Sequence, residues 1–83
     1  MSEPIDWEKV TKKEARGLFD YDLGEVEEVN NEFVITKKGH ADKVRYYLPR
    51  SKAVKFDGHK LWFEVGKDEA KEAYRHDADS KVQ

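Results

Sequence analysis

The fold of this chain is decided by residues Leu23–Lys38, which read LGEVEEVNNEFVITKK. β-branched and aromatic residues are enriched in strands, and the run Phe33–Thr36 contains only such residues. Asn30 and Asn31 lie just before this run, and asparagine tolerates the positive φ values that a tight hairpin turn requires. The stretch therefore predicts two antiparallel β-strands joined at the two asparagines.

The first of these strands carries two irregularities. Val26 and Val29 are three residues apart, so a β-bulge at Glu27–Glu28 is needed to return the second valine to the inner face of the sheet. Gly24 at the start of the strand indicates a further bulge or a close approach of two backbones. A helix over the same residues is the alternative, which we disfavour because a glycine weakens it and a strand follows so closely.

Three later segments also have strand character. Val44–Leu48 alternates between two faces and ends at Pro49, which cannot donate a ladder hydrogen bond. Residues 51–56 predict a short strand or turn, Asp57–Gly58 predicts a hairpin turn, and Lys60–Val65 has the strongest strand propensity. Together with the opening hairpin, these segments give about five short strands.

Helical signals lie on both sides of the strands. Thr11 and Glu14 have the spacing of a capping box, which predicts a short helical turn over Lys12–Arg16 that Gly17 ends in a left-handed conformation. A C-terminal helix is predicted over Lys67–Tyr74, where two alanines and a tyrosine recur at the i, i+3, i+4 spacing of a packed stripe.

The link Leu18–Asp22 holds three apolar side chains that we expect to anchor it on the core, namely Leu18, Phe19 and Tyr21. Short antiparallel strands favour a closed or half-closed barrel over an open sheet, because closure removes exposed edges. We therefore predict a mainly β fold: a small antiparallel β-barrel of about five short strands with a short N-terminal helical turn and a C-terminal helix. Residues 1–6 are expected to form a flexible lead-in, residues 7–75 a single domain and residues 76–83 a flexible C-terminal tail.

The composition limits the class of protein. A chain of 83 residues forms one domain, and its ten aromatic residues (four Phe, four Tyr, two Trp) argue against disorder throughout. Cysteine is absent, which excludes disulfides and cysteine-based metal sites and favours a reducing compartment. Residues 1–6 lack the features of a signal peptide, and no apolar run approaches the roughly 20 residues that span a bilayer. We therefore expect a cytoplasmic protein without membrane insertion.

The net charge of −2 hides an uneven distribution. Residues 1–36 carry four Lys/Arg against ten Asp/Glu, residues 37–60 carry eight against two, and residues 61–83 carry four against six. The acidic first part and the basic middle can pair within the fold, or the basic middle can face a partner.

Basic side chains are interleaved with an aromatic residue in this middle part. They surround Tyr47 on the face opposite the apolar row of its strand: Lys43, Arg45, Arg50, Lys52 and Lys55. This pattern is typical of surfaces that bind nucleic acid or another anionic partner. The alternatives are a solvated face or pairing with the acidic hairpin, and a sequence pI near 5.9 argues against a dedicated nucleic-acid-binding domain.

Trp62 faces away from the apolar row of its own strand, in the direction opposite to Leu61. Either it packs beneath the C-terminal helix, which we favour, or it is exposed beside Tyr47 and marks an interface. The candidate interaction surface therefore comprises two aromatic and three basic residues: Tyr47, Trp62, Arg45, Arg50 and Lys52.

Three histidine-containing motifs, His40–Asp42, Asp57–His59 and His76–Asp79, could each supply metal ligands. Because isolated histidines in three separate stretches rarely converge, we expect no metal site and no cofactor. No Ser/His/Asp or Cys/His arrangement is visible in the sequence, and the carboxylates show no pairing pattern. We therefore predict no catalytic residues and a protein that is not an enzyme.

Three motifs resemble the PRC-barrel superfamily. Gly17, the acidic turn Asp20–Asp22 and the entry Leu23-Gly24-x-Val26 are similar to its opening signature. Tyr46–Pro49 is similar to its strand end at a proline, and Val54–Phe63 to its closing hairpin. The likeness covers roughly Leu18 to Val65 and is strongest to small stand-alone members of unknown function.

The resemblance implies a compact β-barrel without enzymatic activity. In this superfamily the domain occurs in the H subunit of photosynthetic reaction centres and in a ribosome-maturation protein, and it is proposed to act in protein–protein contacts. We therefore predict a non-enzymatic module that binds another protein or itself as a homodimer. The alternative is an RNA- or ribosome-associated factor that uses the basic segment 37–60.

Overall fold

The computed structural model describes residues 5–39 and 44–77. Within these ranges the strands are β1 (Glu14–Arg16), β2 (Asp22–Val29), β3 (Phe33–Lys38), β4 (Val44–Pro49), β5 (Ala53–Phe56), β6 (Lys60–Phe63) and β7 (Arg75–Asp77). One short α-helix, α1 (Lys67–Glu69), continues into a π-helical turn, Ala70–Tyr74, and two 3-10 turns are formed by Leu18–Asp20 and Arg50–Lys52. Strands account for 49% of the described residues, so the predicted mainly β fold is confirmed.

All of these strands belong to one sheet with the order β5-β6-β1-β2-β3-β4-β7. Neighbouring strands are antiparallel except β1 and β6, which run parallel. In the part of the chain that the structure describes, no pairing joins the edge strands β5 and β7, so the sheet is open and mixed. The described residues form seven strands where about five were predicted, and the parallel β1–β6 pair departs from the predicted antiparallel arrangement. β1 and β7 were missed because strands of three residues are too short to show alternation.

The predicted helical turn over Lys12–Arg16 is also wrong, since its second half is β1. Lys12 N donates to Val26 O at 2.7 Å, and Val26 N donates to Lys13 O at 2.8 Å. These cross-strand bonds use backbone groups that a helix would need, and the long-range pairing outweighs a weak local capping signal. Gly17 accordingly ends no helix and is extended, with φ −107° and ψ −159°.

The β2–β3 hairpin predicted from the two asparagines is confirmed. The Asn30 side-chain oxygen accepts hydrogen bonds from the backbone N–H groups of Glu32 at 2.8 Å and Phe33 at 2.7 Å. Asn30 N in turn donates to Phe33 O at 2.9 Å. Asparagine therefore closes the turn with its side chain and its backbone together.

The bulge predicted in β2 is confirmed as well. The register against β3 passes from Val26 directly to Glu28, which leaves Glu27 as the extra residue. Val29 then pairs with Val34 and packs against the core. The slipped spacing of the two valines in the sequence is thus the signature of this bulge.

Gly24 marks a second irregularity in the same strand. The register against β1 passes from Gly24 to Asp22 and skips Leu23. Gly24 has φ +96°, and a Cβ atom there would overlap the carbonyl oxygen of Lys37 in β3. The predicted close approach of two backbones is therefore present, and only glycine fits it.

Thr36 provides a hydrogen-bond donor to a backbone carbonyl group that has no cross-strand partner because of this second bulge. Its side chain is fully buried, and its hydroxyl donates to the carbonyl oxygen of Leu23 at 2.6 Å. Because Leu23 has no cross-strand partner in either ladder, the hydroxyl takes the place of a sheet hydrogen bond.

We expect Thr36→Val to lower the free energy of unfolding by about 1–3 kcal/mol. Valine keeps the shape of the side chain but leaves the buried Leu23 carbonyl without its donor. Urea denaturation of the purified variant measures the loss. Thr11→Val makes the same chemical change at an exposed position, where the effect stays within about 0.5 kcal/mol. Equal losses in the two variants would contradict this role of Thr36.

The hydrophobic core lies on one face of the sheet. It is built from residues of every strand from β1 to β4, from β6 and from the flanking loops: Val10, Ala15, Leu23, Val26, Val34, Tyr46, Leu48, Leu61, Phe63, Val65 and Ala70. Burial, followed by a hydrogen bond with Tyr21, raises the pKa of Tyr46 to about 12, so this core hydroxyl stays neutral.

The helical segment after β6 covers part of this core. Ala70 is buried, Tyr74 packs against the core and Ala73 is exposed, so the predicted apolar stripe holds at two of its three positions. The segment is linked to the start of β5 by an ion pair between Lys52 Nζ and Glu69 Oε2 at 3.6 Å. A C-terminal helix is therefore present, but most of it has π-helical geometry.

The outer boundaries of the domain differ slightly from the prediction. Ile5, placed in the flexible lead-in, packs against the core. β7 reaches Asp77, although the flexible tail was expected to begin at residue 76. Residues 1–4 and 78–83 lie outside the described part of the chain.

Candidate functional site

The turn between β1 and β2 is the most unusual part of the surface. Residues 17–21 form it, and four backbone hydrogen bonds hold it. Gly17 N donates to Tyr21 O at 2.8 Å, Asp20 N donates to Gly17 O at 3.2 Å, and Tyr21 N donates to Leu18 O at 3.2 Å. Leu18 N donates to Val65 O at 2.8 Å, which attaches the turn to the segment after β6. The turn is therefore a fixed feature of the fold.

Two consecutive residues of this turn are in the left-handed region. Phe19 has φ 58° and Asp20 has φ 62°. For a residue such as phenylalanine this conformation costs roughly 1–2 kcal/mol, whereas aspartate adopts it more readily. Such strain persists only where the surrounding structure imposes it, and here the four backbone hydrogen bonds do so.

The turn presents apolar side chains to solvent. Phe19 is fully exposed (101%) and Leu18 is 43% exposed, and we call these two residues the Leu18–Phe19 tip. The prediction that both anchor the link on the core is therefore wrong, while Tyr21 does pack against the core as expected. The tip is exposed because the turn contacts the segment after β6 through the backbone of Gly17. A Cβ atom at Gly17 would overlap the Val65 carbonyl oxygen.

Charged groups surround the tip. Arg16 Nη2 and Nε donate to Glu14 Oε1 at 2.7 and 3.1 Å, and Arg16 Nη1 donates to the carbonyl oxygen of Asp20 at 3.3 Å. The Asp20 carboxylate lies 3.6 Å from the same guanidinium. The hydrogen bond with Glu14 and the nearby acids raise the pKa of Arg16, which stays cationic. With Asp22 as a third acid, one arginine faces three carboxylates.

A cleft of about 600 Å³ adjoins this turn on the outer face of the sheet. It is lined by three acids, three bases and two glycines: Glu14, Asp22, Glu25, Arg16, Lys37, Lys38, Gly24 and Gly39. Lys38 Nζ donates to Asp22 O at 3.0 Å and lies 4.9 Å from the centre of the Tyr21 ring. The cleft is thus polar and balanced in charge, and it borders the tip rather than extending its apolar surface.

Trp62 lies near this region. It is opposite Arg16 in the parallel β1–β6 ladder and faces away from the core, as predicted. Its indole N–H donates to Asp57 Oδ2 at 3.2 Å, and Lys55 Nζ lies 5.7 Å from its ring centre. The polar and cation–π contacts of Trp62 are therefore with the β5–β6 hairpin.

Tyr47 and Arg45 lie on β4, which is separated from β6 by three strands of the sheet. The Tyr47 ring centre is 6.1 Å from that of Phe33 and 4.5 Å from that of His76. Arg45 Nε and Nη2 donate to the two carboxylate oxygens of Glu27 at 2.9 and 3.3 Å, and this pair raises the pKa of Arg45. Here the basic middle does pair with the acidic hairpin.

The other two predicted site residues also have intramolecular partners. The Arg50 guanidinium is 4.3 Å from the centre of the Trp7 ring, and its Nη1 donates to Asn30 O at 2.9 Å. Lys52 forms the ion pair with Glu69. Tyr47 and Arg45 lie on β4, Arg50 and Lys52 lie in the turn that follows it, and Trp62 lies on β6.

Sequence reasoning missed the Leu18–Phe19 tip because its recognition depends on β1, which the sequence did not reveal. Once Glu14–Arg16 is known to be a strand, the Leu-Phe pair becomes the connection of a β-hairpin, and such connections lie on the surface. The false helical turn concealed this arrangement.

Asp57 stabilises the β5–β6 hairpin turn that the sequence predicted. One of its carboxylate oxygens accepts from Lys60 N and His59 N, both at 2.8 Å, and the other accepts from Trp62 Nε1. These hydrogen bonds, those from the two backbone groups first, lower the pKa of Asp57 to about 2.

The ionised form of Asp57 is expected to stabilise the fold in a pH-dependent way. Its pKa is lower in the folded state, so the contribution is complete above its ordinary pKa of about 4 and is lost as pH falls to about 2. Asp57→Asn removes the charge; it keeps one acceptor oxygen and replaces the other with an NH2 donor. Unfolding midpoints of both proteins at a series of pH values should converge between about pH 4 and pH 2. A difference that does not change with pH would contradict this assignment.

The histidine motifs are only partly covered by the described residues, since His40, Asp42 and Asp79 lie outside them. Within the described ranges no group of three His, Asp or Glu residues could hold a metal ion. No helix in those ranges is both long and apolar enough to cross a membrane.

Comparison with known proteins yields no relative. No protein-family model matches the chain, and neither a curated protein nor a solved structure does. The function is therefore inferred from the surface described above.

Proposed function

We propose that this protein is a non-enzymatic, PRC-barrel-like module that mediates protein–protein interaction. The observation that carries the proposal is Phe19, a fully exposed phenylalanine in a left-handed conformation. Its ring contributes nothing to the core and is free to enter a pocket of a partner as an interface anchor.

The strain of the turn supports the same proposal. Glycine or asparagine at position 19 would adopt the left-handed conformation more readily, so phenylalanine is a poor choice for the fold. Strained backbone is concentrated at binding and catalytic sites, where the stored energy is tolerated for the sake of function. A contact role for the ring explains why a strained position carries a large apolar side chain.

We also propose that the sheet is a half-closed barrel. The helical segment supports this, because it is linked to both edge strands: Glu69 pairs with Lys52, directly before β5, and Tyr74 directly precedes β7. Ala70 between them is buried in the core. A helical plug at the gap between edge strands would protect their unpaired backbone groups.

The alternative, an RNA- or ribosome-associated factor, has less support. It requires free cations in segment 37–60, whereas Arg45, Arg50 and Lys52 each have an intramolecular partner. It predicts RNA binding that weakens as salt rises and when these three residues are neutralised. Fluorescence anisotropy with labelled RNA at low salt measures this, and an absence of binding would remove the alternative.

The proposed function is tested by site-specific photo-crosslinking in the cells from which the protein comes. A photoreactive phenylalanine derivative is introduced singly at Phe19, Tyr47 and Trp62, with the exposed position Glu72 as control. A discrete protein adduct from one of the three sites, absent at the control site, is the expected result. No protein adduct from any of them, together with a strict monomer in sedimentation velocity, would overturn the proposal.

A further inference from the structure

We infer that the Leu18–Phe19 tip inserts into an apolar pocket of a different protein, and that lysine or arginine side chains border this pocket. The inference rests on the proposed function and adds the chemistry of the partner. It follows from the shape, the charge and the rigidity of the turn.

Shape requires a concave partner. Phe19 is fully exposed while Leu18 beside it is only 43% exposed, so a single ring projects from the end of the hairpin. The nearby side chains of Glu14, Arg16 and Asp20 are charged. A flat apolar surface would bury these charges together with the ring, whereas a pocket of phenyl size receives the ring and leaves the charges at its border.

The charge of the turn indicates which side chains border the pocket of the partner. The side chains of Glu14 and Asp20 are 54% and 60% exposed, whereas that of Arg16, which lies between them, is 23% exposed. Asp22 adds a third carboxylate, which accepts a hydrogen bond from Gly24 N at 2.9 Å. Lys38, whose Nζ donates to Asp22 O at 3.0 Å, is only partly exposed, as Arg16 is, whereas the three acids are exposed. The outward charge beside the tip is therefore negative, and electrostatic complementarity calls for a basic border.

The same charge argues against other occupants of the tip. A symmetric dimer with two tips in contact would bring the carboxylates of two copies together, and like charges at an interface are unfavourable. A membrane with anionic lipids would repel the tip for the same reason. A basic protein surface is the partner that the turn fits.

Rigidity lets the ring bind without a large ordering cost. The four backbone hydrogen bonds of the turn hold Phe19 in one backbone conformation before the partner arrives. A side chain on a preorganised backbone loses less conformational entropy on binding than one on a mobile segment, because the backbone is already ordered. We therefore expect Phe19 to be a dominant contact rather than one of many equal ones.

The test begins with the protein that is crosslinked from position 19. The crosslinked peptide is mapped, the partner is purified, and its affinity for the full chain is measured at about 0.05 M and about 0.5 M NaCl. Phe19→Asn should weaken binding about 30-fold, since asparagine tolerates the left-handed backbone but lacks the ring. Phe19→Leu, which keeps an apolar side chain, should bind much better than Phe19→Asn.

Asp20→Asn tests the charge of the border. It should slow association severalfold at low salt and have little effect at high salt, because screening removes the attraction. Glu72→Gln removes one exposed carboxylate outside the turn and should leave association unchanged. Circular dichroism and thermal melts of every variant confirm that the fold is kept.

Several results would overturn the inference. They are a crosslink from position 19 only to a second copy or to lipid, an acidic site on the partner, unchanged affinity of Phe19→Asn, or faster association of Asp20→Asn. If position 19 yields no adduct while Tyr47 or Trp62 does, this inference fails and the proposed function stands. If none of the three positions yields an adduct and the protein is monomeric, the proposed function itself fails.

Discussion

Gly24→Ala is expected to lower the free energy of unfolding by about 4 kcal/mol, since two independent penalties combine. A left-handed alanine costs roughly 1–2 kcal/mol. The added methyl group would also overlap the Lys37 carbonyl oxygen, so β2 and β3 must separate where the close approach occurs. For a domain of this size the total stability is on the order of 5–10 kcal/mol, so much of it would be lost.

Gly58→Ala is the matched control for this prediction. Gly58 has the same φ of +96°, but nothing lies within 4 Å of a Cβ at that position. It should therefore show only the conformational penalty of about 1–2 kcal/mol. Urea denaturation of both variants measures the difference, which reports the close approach of β2 and β3 alone. Equal destabilisation of the two variants would disprove that approach.

Phe63→Ala is expected to lower the free energy of unfolding by about 3–5 kcal/mol. Phe63 is 2% exposed and is the largest of the fully buried side chains. Its removal forfeits the burial of an aromatic ring and leaves a cavity that the surrounding strands fill only in part. The variant should populate unfolded protein at moderate temperature, which differential scanning calorimetry detects as a lower midpoint.

Phe19→Ala makes the same substitution at the opposite extreme of exposure. Because the Phe19 ring is fully exposed, its truncation should change the free energy of unfolding by no more than about 0.5 kcal/mol. The contrast separates the role of Phe63 in the core from the contact role proposed for Phe19. A loss for Phe19→Ala comparable with that for Phe63→Ala would mean that Phe19 packs within the fold.

Local signals in the sequence were sufficient for the hairpins and their irregularities. Asn30 and Asp57 close turns with their own side chains, and such turn chemistry acts within three residues. The spacing of Val26 and Val29 predicted the bulge because the period of a strand is strictly two. The prediction failed where an element is too short for a period, as in β1 and β7.

The candidate site was less accessible to sequence reasoning. The five residues chosen from charge and alternation lie at several separate places, and some have partners from distant segments, such as Trp7 for Arg50 and Glu69 for Lys52. Charge runs in a sequence indicate which side chains are available but give no information on which of them meet. The exposed Phe19 was missed because an apolar residue is expected to be buried.

By itself, the sequence determined the mainly β class, the Leu23–Lys38 hairpin and the need for glycine at position 24. Turn residues, alternation and glycine act over a few neighbouring residues, so the local sequence determines these features. Only the tertiary structure decided that β1 lies between β2 and β6 and that the Leu18–Phe19 tip faces solvent. These features depend on contacts between segments far apart in the chain, above all the approach of Gly17 to Val65, and no local pattern encodes them.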